Sequence, residues 1–163
     1  MTDNDDKPGH LARRFQQIAV AVFHAEVEAA GHDLTPVQYA ALSTITTHPG
    51  IDQVTLAGLI AYDRTTITGV VDRLVQRGFV VRESSSTDRR ARLLQITDQG
   101  RRTLGEIEPA VAAAQRIMLR GLTADETDVF MRLLRKAIDA GNDLSRAPLR
   151  RPREATPDSS EAK

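Results

Sequence analysis

The chain has 163 residues, with no cysteine, no tryptophan, two tyrosines and four phenylalanines. Without a thiol there is no disulfide, no thiolate zinc site, no cysteine nucleophile and no thiol redox sensor. Charge of one sign is missing as well. Twenty-two basic residues balance 22 acidic ones, so affinity for a polyanion has to come from where the charges sit and not from their sum. No apolar run approaches the roughly 18 residues of a membrane-spanning helix. The opening Met1-Thr2-Asp3-Asn4-Asp5-Asp6 is acidic, unlike the basic start of a signal peptide. The expectation is a soluble, cytoplasmic protein with no membrane partner. Enzyme signatures are equally scarce: there is no Gly-rich phosphate loop after a strand, no nucleophile elbow and no His-Glu-x-x-His. Ser84-Ser85-Ser86 falls between two strand-like runs, where a nucleophile would be solvated. The four histidines form no ligand-spaced pair, so neither a metal nor a cofactor is expected. The length fits one domain with a core large enough to need no staple.

What is present centres on residues 63–97. Asp63 can cap a helix, Gly78 can end it in a left-handed conformation, and Ile67, Val70, Val71 and Leu74 recur at helical spacing as its buried face. The opposite face carries Arg64, Thr65, Thr66 and Thr68, then Arg73 and Arg77, donors that suit a nucleic-acid groove. After Gly78 the period changes. Phe79 to Glu83 and Leu93 to Thr97 read as two strands of a wing, joined by a polar loop. Residues 64–92 hold seven arginines against three acids, an excess of four positive charges inside a neutral chain.

Around this module the pattern is helical. Residues 1–9 read as a flexible lead. Leu11, Phe15, Ile18, Ala19, Val22, Phe23 and Val27 give residues 10–30 a wide apolar stripe, which either forms a dimer seam or packs on its own domain. Thr35 caps a helix with Pro36 at its first position and a stop before His48-Pro49-Gly50. A short helix follows from Gln53 to Ala61, then a tight turn, and then the helix after Asp63, which is the helix-turn-helix order. Thr97 feeds a long helix in which Pro109 deletes a ladder bond and is expected to introduce a kink. Thr123 and Glu126 form a capping box for a last helix ending near Gly141. Residues 145–163 read as a disordered tail, and the cluster Arg150-Arg151-Pro152-Arg153 as a solvated charge run, the alternative being that it brushes DNA phosphates.

The run Asp88-Arg89-Arg90 followed by Leu93 to Ile96-Thr97 and Gly100, behind a helix ending Val71-Asp72-Arg73-Leu74 and Arg77-Gly78, resembles the MarR family of winged helix-turn-helix regulators. The resemblance implies a mainly α fold with a small β-wing. Residues 33–97 would be the DNA-binding module, residues 10–30 and 98–144 dimerisation helices, and residues 10–144 together the family domain. It also implies a homodimeric repressor on a pseudo-palindromic double-stranded DNA operator, released by a small ligand; members that sense peroxide through a cysteine are excluded as models. Groove readers would be Arg64, Thr65, Thr66 and Thr68, with Arg73 and Arg77 on phosphates. In the wing, Asp88 would orient Arg90 or Arg92 while Arg89 or Arg90 enters the minor groove. The run from Asp33 to Leu42 is similar to repressors of aromatic-acid catabolism, implying a hydroxynicotinate or hydroxycinnamate-like effector held by His10, Arg13, Arg14, His24 and Tyr39. The rival reading is a helical dimerisation or adaptor module that binds no DNA.

Overall fold

The computed structural model describes residues 6–84 and 92–151. Six α-helices and three short strands follow one another as α1 (Pro8–Ala29), α2 (Pro36–Thr47), β1 (Ile51–Asp52), α3 (Gln53–Leu59), α4 (Arg64–Gln76), β2 (Val80–Ser84), β3 (Arg92–Ile96), α5 (Asp98–Met118) and α6 (Ala124–Ala140), with a final 3-10 turn (Asn142–Leu144). The fold is mainly helical with a small antiparallel sheet, as the sequence implied.

Local chemistry sets the boundaries. Pro8 stands in the first turn of α1, where its missing N–H leaves no bond unmade, so Pro8 and Gly9 are helical and not part of a flexible lead. Thr35 caps α2, and Gln38 returns the bond to the Thr35 N–H, a complete capping box. Gly31 and Gly78 close α1 and α4 with φ of +80° and +74°. In both, the next N–H reaches back to a carbonyl five residues earlier: His32 to Val27 at 3.1 Å and Phe79 to Leu74 at 2.9 Å. α5 runs unbroken through Pro109.

The wing is three-stranded, not two-stranded. The short β1 pairs with β3 through Ile51↔Leu94, and β2 pairs with β3 from Val80↔Ile96 to Ser84↔Arg92, giving the order β1-β3-β2. A two-residue strand leaves no period-2 pattern to read. Under the sheet, Leu42, Ile45, Leu56, Ile67, Val71, Leu74 and Leu94 are fully buried in one core with Phe79 and Val80. Each contributes on the order of 1.5–3 kcal/mol of apolar burial.

The two halves of α1 behave differently. Phe23 and Val27 are buried, whereas Leu11 and Ile18 are about half exposed. α6 buries no residue at all, although Leu133, Ile138 and Val129 repeat along it. A groove between α1 and α6 is lined by Leu11, Phe15, Ile18, Phe130 and Leu134, with the Phe15 and Phe130 rings edge to face at 5.4 Å. No helix among the described residues is long and apolar enough to cross a membrane.

The tail departs from expectation as well. Residues 145–151 are ordered and fold back onto α3, with the Arg150 N–H donating to the Gly58 carbonyl at 2.8 Å.

Gly100 is the tightest point of the fold. A methyl group there would overlap the Phe79 carbonyl oxygen and stand 2.9 Å from Ile96 Cγ1, both fixed by the sheet. Gly100→Ala is therefore predicted to destabilise the protein by roughly 1–3 kcal/mol despite alanine's better helix propensity. Urea denaturation of the two proteins checks this.

Candidate nucleic-acid interface

The interface is built on two capped helices. Asp52 starts α3 by accepting from the N–H groups of Val54 and Thr55, both at 2.9 Å, and from the Thr55 hydroxyl at 2.6 Å. Burial pushes the Asp52 carboxyl up, but these bonds outweigh it and the net shift is down. Asp63 repeats the device for α4, accepting from the Thr66 N–H at 2.9 Å and the Thr66 hydroxyl at 2.6 Å. The Thr66 hydroxyl, followed by its N–H, holds the Asp63 carboxyl below its usual range. Between the helices Ala61 takes a left-handed conformation at φ +55° while Tyr62 N–H donates to the Ala57 carbonyl. For a residue with a Cβ this costs roughly 1–2 kcal/mol, and it sets the turn that lifts α4 away from α3.

Ile67, Val70, Val71 and Leu74 form the buried stripe of α4. At 100° per residue the direction opposite that stripe is held by Thr65, Gly69, Asp72 and Gln76, with Arg64 and Thr68 on one flank and Arg73 on the other. All seven are exposed. The hydroxyls are not equivalent. Thr66 is engaged on Asp63, while Thr68 donates to the Arg64 carbonyl at 2.9 Å and accepts from Gln53 Nε2 at 2.7 Å. Thr65 makes no side-chain hydrogen bond among the described residues and is exposed on the first turn of the helix.

Arg77 is placed elsewhere. Its guanidinium donates to the Asp33 carbonyl in the α1–α2 connection and lies 4.8 Å over the Phe79 ring, so it anchors the end of α4. Sequence distance hid this contact, since Asp33 lies 44 residues away. Asp72, the acid on the outward face, is paired with Arg82 of β2, which removes its repulsion toward an anion. Arg92 lies at the base of the wing, 3.4 Å from the Ser84 hydroxyl. The wing-tip residues Asp88, Arg89 and Arg90 lie outside the described residues.

Gly69 and Gln53 carry no motif that sequence alone would single out. A Cβ on Gly69 would meet no protein atom within 4 Å. Packing therefore does not require glycine there, although mid-helix glycine costs about 1 kcal/mol relative to alanine. The signal was a glycine interrupting a helix on its polar side, a place where a second backbone can approach closely.

The effector candidates are not gathered in one protomer. Tyr39 packs against Phe23 at 5.9 Å and donates to Glu108 Oε2 at 3.0 Å. Burial, then the Glu108 bond and charge, raise its phenol pKa. His24 is exposed on the edge of the Phe23 ring, 6.1 Å between centroids. His10, Arg13 and Arg14 occupy the other end of α1. Arg13 lies 3.5 Å from His10 Nδ1 and donates to Gln17, and Arg14 lines the α1–α6 groove. Nine residues separate Arg14 from Phe23, about 13 Å along a helix, so the cations and the tyrosine do not meet within one chain. Among the described residues no group of three His, Asp or Glu side chains could hold a metal ion.

Residues 34–91 match the family model described as MarR family. The transcriptional regulator HosA of Escherichia coli is 34% identical over 134 residues, 82% of this chain and 96% of that protein. The chain belongs to the MarR family. It is a transcription regulator of MarR type, in a family of regulators and not of enzymes. The HTH-type transcriptional repressor NicR of Pseudomonas putida is 30% identical over 85% of this chain and 86% of its own length. Among solved structures, PcaV of Streptomyces coelicolor in complex with its natural ligand superposes with a TM-score of 0.78 and 36% identity, over 86% of this chain and 98% of PcaV. BpsR of Bordetella bronchiseptica, whose DNA binding is regulated by 6-hydroxynicotinic acid, superposes at 0.79 with 28% identity over 85% and 98%. The repressor CouR, bound to a 23-mer DNA duplex, superposes at 0.75 with 28% identity over 81% and 92%.

The geometry of α4 makes two properties of this MarR-family protein measurable. Gly69→Ala is predicted to raise the melting temperature, because it gains helix propensity with no clash. The Asp63 cap is predicted to be pH-sensitive. Its folded pKa is lowered, so its stabilisation is complete above the unfolded value of about 4 and is lost as pH falls through both values. The melting-temperature gap between wild type and Asp63→Ala is therefore wide at pH 7 and narrows below about pH 4, as calorimetry across pH would record.

Proposed function

We propose that the protein is a homodimeric repressor that reads a pseudo-palindromic operator with the outward face of α4 and leaves it when a small aromatic acid binds. The observation that carries this reading is that face itself: Arg64, Thr65, Gly69 and Arg73 exposed around a helix whose opposite side is fully buried, with no aromatic ring on it. An adaptor surface would present apolar or aromatic anchors there. The likeness to DNA-bound CouR supports the duplex as partner. Thr65, Thr66, Thr68 and Arg64 stand at the end of α4 that enters a major groove, Arg73 faces the backbone, and Arg92 with the wing residues Asp88, Arg89 and Arg90 reaches the neighbouring groove. A repressor acts where its operator lies, so its work is in the cytoplasm.

The second copy is called for by α6. A 17-residue helix with Leu133 51% and Ile138 57% exposed has too little packing to be stable alone. Its apolar face and the Leu11–Ile18 side of α1 form one continuous seam, suited to an isologous contact.

The effector reading follows from chemistry on both sides of that seam, and from the likeness to NicR, PcaV and BpsR. Phe23 and Tyr39 supply an aromatic wall within the protomer, and Glu108 is an acceptor for a ring hydroxyl. His24 lies at the rim. Arg13 and Arg14 supply cations for a carboxylate, with the His10 ring beside them, but on the dimer side of α1, so the complete pocket needs the partner copy. A hydroxylated aromatic acid, such as a hydroxynicotinate or hydroxycinnamate, matches an acceptor at one end and cations at the other.

Gel shifts on the DNA upstream of the protein's own gene, with a panel of aromatic acids, test this. A retarded band abolished by one hydroxylated acid is the expected result, with release weakened at least tenfold in Arg14→Ala; no shift on any upstream fragment would refute the DNA reading. Gly69→Ala is predicted to lower operator affinity by about tenfold, the worth of one good base or backbone interaction, while folding more stably. Ile18→Glu combined with Leu133→Glu should give monomers by light scattering with unchanged wing stability.

A further inference from the structure

The segment after α6 is built into the DNA-binding module. Beyond the 3-10 turn, Asn142 clasps Leu149 in both directions: Nδ2 donates to the Leu149 carbonyl at 3.1 Å and the Leu149 N–H donates to Oδ1 at 2.8 Å. This loop presents Arg150, whose N–H is bonded to the Gly58 carbonyl at the end of α3. Its stem lies on Gly58 itself, where a methyl group would stand 3.1 Å from Arg150 Cβ and 3.4 Å from Cδ. Gly58 is therefore the seat of the segment, a place where small size lets a second strand of backbone lie on a helix. Arg151 is held back by Asp139 at 3.7 Å.

The cleft closed in this way joins Arg146 and Arg150 to Val54, Tyr62, Asp63 and Arg64, the last two being the cap and first residue of α4. Asp63 keeps its negative charge, but it is bonded to the Thr66 N–H and hydroxyl at the positive end of the α4 dipole, and one carboxylate against three arginines leaves the cleft with a net positive charge. Among the described residues, neither Arg146 nor Arg150 has an ion-pair partner. From Ser145 to Arg153 the sequence holds four arginines and no acid. Like charges gathered at the start of a groove-reading helix repel one another until an anion arrives. A segment that masked a cationic surface would carry carboxylates, and this one carries the opposite charge.

We propose that residues 145–151 form a strap that extends the DNA-binding surface, setting Arg146 and Arg150 beside Arg64 to hold backbone phosphates next to the recognition helix. The proposal rests on the DNA reading above. Phosphate contacts are independent of base sequence and release counterions, so they are read in the salt dependence of binding.

The full-length protein is titrated onto a fluorescein-labelled mixed-sequence duplex of about 30 base pairs over a range of salt. Arg146→Gln with Arg150→Gln should flatten the slope of log affinity against log salt by about 0.9 for each phosphate no longer neutralised, without lowering the melting temperature. Lysine at both positions should restore the slope. Gly58→Leu keeps every arginine but drives the strap off α3, and the same flattening is expected. A wild type that binds with a slope unaltered in the double glutamine variant overturns the strap and leaves the DNA reading standing. Tighter binding by either variant also overturns it, in favour of a mask. A wild type that does not bind the duplex overturns the DNA reading on which the strap rests.

Discussion

One hydroxyl ties the two working parts of the molecule together. Thr97 Oγ1 donates to the Gly78 carbonyl at 2.6 Å and accepts from the Gly100 N–H at 3.0 Å, while the Thr97 N–H donates to the Phe79 carbonyl at 3.0 Å. The end of the recognition helix and the start of α5 thus share two bonds, with the third capping α5 itself, across a gap too narrow for a Cβ at residue 100. α5 in turn packs along α1. A tilt of α1 and α5, from a ligand between them or from a partner helix, has no slack to be absorbed in before it reaches α4. Close-packed contacts of this kind transmit displacement instead of damping it. That constraint is what would make one fold serve both as DNA reader and as ligand-sensitive switch.

The balance of charge follows the same division. The chain is neutral as a whole, yet Asp52 and Asp63 are consumed by helix caps and Asp72 is matched by Arg82. Asp52 and Asp63 keep their charge but sit at the positive ends of helix dipoles, and Asp72 is beside Arg82, so among the described residues Arg64 and Arg73 meet the solvent with no ion-pair partner. Such segregation, not net charge, is what a polyanion responds to.

Much of this was legible in the residues. The Ile67–Leu74 stripe, Asp63 and Gly78 placed α4 to within a residue, because caps and 3.6-residue periodicity act locally. Thr123 and Glu126 did the same for α6. What sequence reading missed were contacts between distant segments. Arg77 on Asp33, Arg82 on Asp72 and Arg150 on Gly58 leave no local periodic trace, so neither these anchors nor the fold-back of residues 145–151 could be read. Tyr39 packs on Phe23 and its hydroxyl is bonded within the protomer to the acid Glu108, while the cations of α1 lie more than two turns from Phe23. Gly69 went unremarked because a glycine in a helix normally speaks against the helix; its meaning depends on knowing which side of α4 faces outward.

The central claim is that the outward face of α4 is where duplex DNA lies. Amide chemical-shift mapping of the isotope-labelled protein during titration with operator duplex addresses it directly. The account predicts the largest shifts at Thr65, Gly69 and Arg73, with the α1–α6 groove around Phe15 and Phe130 unmoved. Shifts concentrated in that groove, with α4 silent, would contradict it.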